Sequence, residues 1–205
     1  MRARLRPMPA PDELARLYAE PHDHHRWPWP HDIRVDATVS LAVRMIERDT
    51  GHGPVPPWPR TPAGWTIADL SCGNGEIPRT VASMLALAST PTLGDLAPGY
   101  ELHGPLERTL DEVAPHDLLI CSETIEHLDD PDAVLTKARA KFARLLVTTP
   151  IGETFDQPIG ENPEHVWGWD QDGVAELLRG AGWDPAERID LVLPDTYSFQ
   201  LWWCR

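Results

Sequence analysis

One short stretch organises this chain, and it reads Ile67-Ala68-Asp69-Leu70-Ser71-Cys72-Gly73-Asn74-Gly75-Glu76-Ile77. An apolar run that ends in an acid is followed by a turn of small residues with two glycines, and then by a helix-compatible segment that extends to Leu87. Glycine has no Cβ, so a ligand can approach the backbone of such a turn, and the start of the helix offers free N–H groups. The stretch therefore predicts a ligand-binding turn at the end of a strand.

Strand-like and helix-like segments alternate after this turn, which predicts an α/β fold with an open, largely parallel sheet covered by helices. The expected strands are Thr66–Leu70, Thr92–Gly94, Tyr100–His103, Asp117–Cys121, Arg144–Thr148, Glu187–Leu193 and Tyr197–Cys204. The expected helices are Asp12–Ala19, Arg34–Glu47, Glu76–Leu87, Asp132–Phe142 and Gln171–Ala181. No helical segment separates the last two strands, so we expect them to form an antiparallel hairpin.

A formal net charge of −14 limits the range of partners. A phosphate backbone is bound by clustered Lys and Arg, and the basic residues here are scattered, apart from a cluster between Lys137 and Arg144. The charge therefore disfavours a nucleic-acid substrate and favours a small-molecule partner.

The compartment is indicated by the cysteines and by the hydropathy of the chain. Cys72, Cys121 and Cys204 each lie in or beside an apolar run, which predicts buried free thiols in a reducing compartment. No apolar run approaches the ~20 residues of a membrane span, and the first residues lack the apolar segment of a signal peptide. We therefore expect a cytoplasmic protein that is not inserted in a membrane; the sequence does not indicate its oligomeric state.

A second acid, Asp95, falls at the end of the next expected strand, where a carboxylate can accept hydrogen bonds from ribose hydroxyls. The turn itself is not the dinucleotide-binding G-x-G-x-x-G, because Gly73-Asn74-Gly75 is followed by Glu76-Ile77-Pro78. A P-loop is also excluded, since no Gly-Lys-Ser/Thr is present.

The run Asp69-Leu70-Ser71-Cys72-Gly73-Asn74-Gly75 resembles the first motif of class I S-adenosylmethionine-dependent methyltransferases, D-x-G-x-G-x-G. Ser71 departs from the motif, since it stands where the family commonly has its first glycine. Asp95, Cys121-Ser122-Glu123, Thr148-Thr149-Pro150 and the terminal hairpin also match, and the resemblance covers residues 64–205. It implies a Rossmann-like, mostly parallel seven-stranded sheet with a C-terminal antiparallel hairpin, helices on both faces and an N-terminal arm of helices and loops.

The resemblance also implies which residues hold the methyl donor, S-adenosylmethionine. Gly73 and Gly75 would lie against its methionine part, Asp95 against its ribose and Leu106 against its adenine, while Glu123 would lie near the transferred methyl group. The remaining cofactor-binding candidates, from the motif itself, are Asp69 and Ser71.

The acceptor side is expected in Glu123-Thr124-Ile125-Glu126-His127-Leu128. If this stretch forms a helical turn, Glu123, Glu126 and His127 share one face, because positions i, i+3 and i+4 are neighbours. His165 should reach the same rim of the sheet. Two carboxylates and imidazoles can act as general bases or as ligands of a divalent metal ion.

Three interpretations of this set stay open. Glu-x-x-Glu-His followed by Asp-Pro is similar to small-molecule methyltransferases, including relatives in quinone biosynthesis, in which it shapes the acceptor pocket without a metal. The same pattern with a later histidine is similar to small-RNA 3′-terminal ribose 2′-O-methyltransferases. That resemblance implies Mg²⁺ or Mn²⁺ held by Glu123, Glu126, His127 and His165. The third interpretation is a loop scaffold without chemistry.

The N-terminal region is divided from the core by a breaker-rich connector at residues 51–62. We therefore expect an arm with helices at residues 1–60, a candidate substrate cap, and a donor-binding core at residues 61–205. Histidines and tryptophans between His22 and Trp29 either enclose the acceptor, with His24 as a further base, or simply pack over the helices.

These expectations lead to one preferred function and two alternatives. The preferred function is transfer of a methyl group to oxygen or nitrogen of a small molecule, with proton removal by His127 first and by His165, His24 or the glutamates behind it. The alternatives are a metal-dependent RNA 2′-O-methyltransferase and a donor-binding protein without catalysis.

Overall fold

The computed structural model describes residues 1–23, 30–51, 64–152, 164–193 and 198–205. The strands are β1 Arg2–Arg4, β2 Ile67–Asp69, β3 Thr92–Asp95, β4 Leu102–His103, β5 His116–Ser122, β6 Phe142–Pro150, β7 Trp167–Trp169, β8 Pro185–Leu191 and β9 Phe199–Cys204. The helices are α1 Pro11–Leu17, α2 Pro30–Asp49, α3 Glu76–Met84, α4 Leu106–Glu112, α5 Pro131–Arg139 and α6 Gln171–Gly180. A 3-10 turn, Ile125–His127, follows β5.

Seven of these strands form one sheet in the order β4-β3-β2-β5-β6-β9-β8. The first five are parallel to one another, whereas β9 is antiparallel to both β6 and β8. The predicted mostly parallel sheet with a C-terminal antiparallel hairpin is therefore confirmed. The chain runs outward from β2 in one direction and from β5 in the other, so the strand order reverses between these two strands. In open α/β sheets, ligands bind beyond the carboxyl ends of the strands at such a point.

Helices cover both faces of the sheet, as expected. On one face, side chains of α4, α5 and α6 join the sheet in a hydrophobic cluster that includes Leu110, Leu135 and Leu178. On the other face, α2 and α3 form a second cluster around Met45 and Val81. Side chains of β2 and β5 belong to both clusters, so these two strands lie at the centre of the core.

Several smaller expectations can be compared with the structure. All three cysteines are buried and free, and Trp202 and Trp203 are buried in the sheet, as predicted. The helix α4 and the two-stranded ladder of β1 with β7 were not expected from the sequence. Of the helices in the described ranges, none combines the length and the apolar character required to cross a membrane.

Candidate functional site

The glycine turn connects β2 to α3 through two residues in the left-handed conformation, Gly73 with φ +53° and Gly75 with φ +75°. Gly75 donates a hydrogen bond of 2.7 Å to the carbonyl of Cys72, which closes the turn. A side chain at Gly75 would meet Leu93 and Arg79 at 2.8 to 3.0 Å. Both positions therefore require glycine, for backbone conformation and for space.

The acid at the end of β3 is tied to this turn. The backbone N–H of Gly73 donates to Oδ2 of Asp95 at 2.7 Å, and that of Ala97 donates to Oδ1 at 2.8 Å. Asp95 is only 6% exposed, and burial raises the pKa of its carboxyl group. Two strand ends that the sequence separates by more than twenty residues thus form one polar rim.

Asp69, the last residue of β2, is also buried, and burial raises its pKa to about 8, with a further upward contribution from Asp95. Its carboxylate accepts a hydrogen bond of 3.1 Å from the backbone of Ser71. The hydroxyl of Ser71 shares a hydrogen bond of 2.7 Å with that of Thr124, which belongs to the loop after β5. Ser71 in place of a glycine therefore links the two loops at the point where the strand order reverses.

The loop after β5 differs from the single helical turn expected for residues 123–128. The 3-10 turn includes Glu126 and His127 but leaves Glu123 outside, with φ +52°. The carboxylate of Glu123 accepts a hydrogen bond of 3.1 Å from the hydroxyl of Thr148 at the end of β6. The positive φ turns this residue away from the helical path, so the idea that all three residues share one helical face is wrong in this respect.

Glu126, His127 and His165 come together as a compact cluster. One potential ligand atom of each residue lies within 4.8 Å of the others. The rings of His127 and His165 are 4.9 Å apart and nearly perpendicular, and Nε2 of His127 lies 3.9 Å from Oε1 of Glu126. Among the described residues that could ligate a metal in this way, Glu123 does not join the group.

The electrostatics of the cluster follow from burial. Glu126 is fully buried; desolvation first, and then the nearby Glu123, raise the pKa of its carboxyl well above the ordinary value. Desolvation and the neighbouring His165 lower the pKa of His127 to about 3, so this imidazole is neutral at physiological pH. Nδ1 of His127 donates to the backbone carbonyl of Glu164 at 3.2 Å, which leaves the lone pair on Nε2, facing Glu126.

The donor set fits a divalent cation. Oε2 of Glu126 accepts a hydrogen bond of 2.9 Å from Thr149, while Oε1 is buried and has no hydrogen-bond partner within the described ranges. A buried carboxylate oxygen of this kind is costly unless a partner is bound in some state of the protein. Imidazole and carboxylate ligands together suit Mn²⁺ or Zn²⁺, whereas Mg²⁺ prefers an all-oxygen environment.

Other predicted site residues are placed as follows. Leu106 begins α4 and is buried in the hydrophobic cluster on that face of the sheet. His24 lies outside the described residues. His22 lies beside the glycine turn, since a Cβ added to Gly73 would come within 2.7 Å of its carbonyl oxygen.

Sequence reasoning missed Arg34, which is fully buried near the start of α2. Its guanidinium donates a hydrogen bond to the hydroxyl of Ser122 at the end of β5. Its positive charge offsets part of the rise that burial causes in the pKa values of Asp69 and Glu126. Its position in the sequence could have indicated this burial. Arg34 lies on the same face of the helix as Thr38, Leu41 and Met45, and all four residues are buried.

Tyr18 and Glu164 were also missed. Burial first, and then the charges of Glu164, Asp95 and Glu126, raise the pKa of the Tyr18 hydroxyl, so Tyr18 lies near all three acids. Nothing in the local sequence around either residue indicated this contact, because residues 18 and 164 meet only in the folded chain.

Comparison with known proteins gives structural matches alone. No protein-family model and no curated protein sequence matches the chain. A 1,6-didemethyltoxoflavin N1-methyltransferase of Burkholderia thailandensis, solved with 1,6-didemethyltoxoflavin and S-adenosylhomocysteine, matches with a TM-score of 0.58 at 18% identity, over 100% of this chain and 94% of its own. The fold is that of the class I methyltransferases.

Two more methyltransferase structures show the same likeness. Magnesium protoporphyrin IX methyltransferase of Synechocystis PCC 6803, with bound S-adenosylhomocysteine, has a TM-score of 0.58 at 16% identity, over 95% of this chain and 93% of its own. A SAM-dependent methyltransferase of Archaeoglobus fulgidus has a TM-score of 0.56 at 10% identity, over 82% of this chain and 94% of its own. These structural likenesses cover between 82% and 100% of this chain.

Proposed function

We propose that this chain is an S-adenosylmethionine-dependent methyltransferase that transfers a methyl group to an oxygen or nitrogen atom of a small molecule. The observation that carries the proposal is the hydrogen bond from Gly73 to Asp95, which joins a left-handed glycine turn to an acid at the point where the strand order reverses. In the methyltransferase fold, this arrangement suits a ligand that combines an amino acid with a ribose.

The donor, when bound, supplies a methyl group already activated on a sulfonium. The residues proposed to hold it are Asp69, Ser71, Gly73, Gly75 and Asp95. Glu123 would lie near the transferred methyl group, and Leu106 would lie on the adenine side. Their role is to bind, to orient and to exclude water, so that an acceptor atom is aligned with the methyl group. The Asp95 carboxylate suits ribose hydroxyls, since a carboxylate has about four lone-pair sites and backbone N–H groups of Gly73, Ala97 and Leu96 take up to three of them.

Glu126 is the group we propose for removal of the acceptor's proton, ahead of His127. A general base works best when its pKa lies near the working pH. The raised pKa of Glu126 moves it in that direction, whereas a pKa of about 3 makes His127 a weak base. Thr149 holds one oxygen of Glu126, and the other is free to accept the proton. His127 and His165 then position the acceptor by hydrogen bonds.

The acceptor we propose is a small molecule. Methyltransferases with bound or named small-molecule acceptors, a toxoflavin precursor and a magnesium porphyrin, have the same fold. The formal charge of −14 is unfavourable for a polyanionic acceptor. Residues 1–60 would act as a cap on the core of residues 61–205, which is supported by the contact of His22 with Gly73 and by the packing of α2 on α3.

The test is release of adenosylhomocysteine from S-adenosylmethionine in the presence of a panel of phenolic, amino and heteroaromatic acceptors. Glu126→Gln should lower kcat by about 10²–10⁴-fold, the usual contribution of a general base, while adenosylhomocysteine still binds. Glu112→Gln, an exposed glutamate on α4, is the matched control and should leave turnover unchanged. Loss of donor binding by Glu126→Gln would contradict the assignment of Glu126 to the acceptor side.

A second candidate, a divalent-metal-dependent methyltransferase, is favoured by one observation, the cluster of Glu126, His127 and His165. These residues would hold the ion, which would lower the pKa of an acceptor hydroxyl. Isothermal titration of the EDTA-treated protein with Mn²⁺ tests this directly. Binding that is lost in His165→Gln would support the metal, and turnover unaffected by EDTA would exclude a catalytic role for it.

A further inference from the structure

Two atoms of the acceptor cluster, Nε2 of His127 and Oε1 of Glu126, face each other across a short gap; we call them the acceptor pair. They lie 3.9 Å apart, which is too far for a direct hydrogen bond. Nδ1 of His127 lies 3.2 Å from the backbone carbonyl of Glu164. A carbonyl oxygen can only accept, so the proton of the neutral imidazole is on Nδ1 and the lone pair is on Nε2.

Glu126 supplies the second atom of the pair. Its Oε2 accepts a hydrogen bond of 2.9 Å from the hydroxyl of Thr149, while Oε1 is buried and has no hydrogen-bond partner within the described ranges. In the state in which Glu126 acts as a base, its carboxylate carries no proton and can only accept. The pair is therefore satisfied by a cation, or by a group that donates two hydrogen bonds.

The acceptor pair lies close in the structure to the glycine turn that we assign to the donor. The backbone N–H of His127 donates to the carbonyl of Thr124 at 3.0 Å, and the hydroxyl of Thr124 shares a hydrogen bond of 2.7 Å with that of Ser71. The side chain of His127 is 19% exposed, so a ligand can approach the pair from its side. This is the position that the reacting group of an acceptor requires.

The spacing of the pair distinguishes between the two kinds of group. With metal–ligand bonds of about 2.1 Å, neighbouring ligand atoms of a tetrahedral site lie about 3.4 Å apart. The observed 3.9 Å is wider than that. A nitrogen atom at about 2.9–3.0 Å from both atoms would see them at an angle of roughly 85°, which leaves both hydrogen bonds within the usual geometry. The spacing therefore favours a group with two N–H bonds.

We propose that the acceptor group is a primary amine, whose two N–H bonds are accepted by Glu126 and His127 while its lone pair points to the methyl group. The proposal rests on the proposed function, because it takes the cluster as the acceptor side of a methyltransferase. A hydroxyl group has one hydrogen, so one atom of the pair would stay unsatisfied. An alcohol should therefore have a kcat/KM roughly tenfold to a hundredfold below that of the amine with the same skeleton.

The same two hydrogen bonds assist the chemical step. The lone pair of the amine forms the new N–C bond while the C–S bond of the sulfonium breaks, and the sulfur keeps the electron pair of that bond. The nitrogen becomes positively charged, so its bonds to Glu126 and His127 strengthen in the transition state. One proton of the resulting ammonium then goes to Glu126. The product has a single N–H, so a second methylation should be slower by about the same factor as that expected for an alcohol.

Matched acceptors test the proposal. Release of adenosylhomocysteine is measured with benzylamine, N-methylbenzylamine and benzyl alcohol, and with corresponding sets on longer and bicyclic skeletons. In each set that is methylated, the primary amine should be preferred by roughly tenfold to a hundredfold, and its product should be the monomethylated amine. Equal or better turnover of the alcohol would overturn the proposal. Loss of amine turnover with EDTA, restored by Mn²⁺, would overturn it in favour of the metal.

His127→Phe removes one atom of the pair and keeps an aromatic ring, so the preference for amine over alcohol should fall towards one. Both acceptors are measured on the same preparation, and their ratio does not depend on the folded fraction. His116→Phe, at the start of β5 and far along the strand from the cluster, is the control and should keep the wild-type ratio. An unchanged ratio in His127→Phe would overturn the proposal.

Two binding experiments separate this proposal from the proposed function. In the donor-free protein, ¹⁵N NMR should show benzylamine shifting the Nε2 resonance of His127 at concentrations roughly tenfold lower than benzyl alcohol requires. The absence of binding and turnover for every amine in the sets would overturn the proposal. Calorimetry with adenosylhomocysteine examines the donor site: its failure to bind would overturn the proposed function, whereas normal binding together with methylation of alcohols would overturn only the amine.

Discussion

Gly73→Ala is the sharpest test of the glycine turn. Gly73 has φ +53°, a conformation that costs an L-residue about 1–2 kcal/mol. The added Cβ would also lie 2.7 Å from the carbonyl oxygen of His22, and because that atom belongs to the backbone, the chain around His22 must shift. We therefore expect a loss of stability from the first effect and a loss of donor binding from the second.

Gly51→Ala separates these effects. Gly51 has φ +72° and no atom within 4 Å of an added Cβ, so this variant introduces backbone strain alone. In a chain of this size 1 kcal/mol shifts Tm by about 2–4 °C, so both variants should melt about 2–8 °C below the wild type by calorimetry. Only Gly73→Ala should weaken adenosylhomocysteine binding, by roughly tenfold if the displacement costs about 1.4 kcal/mol.

The reasoning would be refuted in either of two ways. Wild-type affinity in Gly73→Ala would show that the glycine turn and the His22 backbone beside it do not form the donor site. An equal loss of affinity in Gly51→Ala would show that the effect is one of global stability and not of local contact.

Three further predictions concern buried groups. Burial raises the pKa of Asp69 to about 8, so the folded protein keeps a proton that the unfolded chain has lost; stability should therefore fall as the pH rises from about 4 to about 8. Asp69→Asn should flatten that fall by up to about 1.4 kcal/mol per pH unit in urea titrations, and an unchanged slope would contradict the shift. Arg34→Met should lower the free energy of unfolding by about 3–5 kcal/mol, because it removes a buried cation that lies beside acids. Arg44→Met, on the exposed side of α2, is the control and should lower it by less than about 1 kcal/mol. Equal losses of the two variants in chemical denaturation would refute this. The three cysteines, buried and with raised pKa values, should resist Ellman's reagent until the protein unfolds, and fast labelling of the native protein would show that they are accessible.

The parts of the fold that could be predicted are those that depend on patterns of neighbouring residues in the sequence. A strand that ends in Asp69, a turn with two glycines and an apolar helix stripe are contiguous in sequence, and the parallel order of the sheet follows from their repetition. The ladder of β1 with β7 could not be predicted in this way. Its strands have three residues each, and Arg2 pairs with Trp169, so the pairing depends on contacts between distant parts of the chain.

The candidate site shows the same division. Glu126, His127 and His165 could be grouped from spacing and strand ends, and the structure brings them within 4.8 Å. The conformation of Glu123 could not be foreseen, because its φ of +52° accompanies hydrogen bonds to Thr148 on another strand. The burial of Arg34 could not be predicted for a different reason. A helical pattern shows which face is apolar, but it does not show which charged residue lies at the buried end of that face.

The buried acids near the strand ends connect donor binding with turnover. Asp69, Asp95 and Glu126 lie near one another with Arg34 as the buried guanidinium of the described core, and burial raises the pKa of all three carboxyl groups. A cation bound beside these acids would lower their pKa values and recover part of the lost solvation, so ionisation of the acids and binding of the cation strengthen each other. A sulfonium donor carries a positive charge that its thioether product lacks. The same acids would therefore bind the donor more tightly than the product, so transfer of the methyl group would itself favour release of the spent donor.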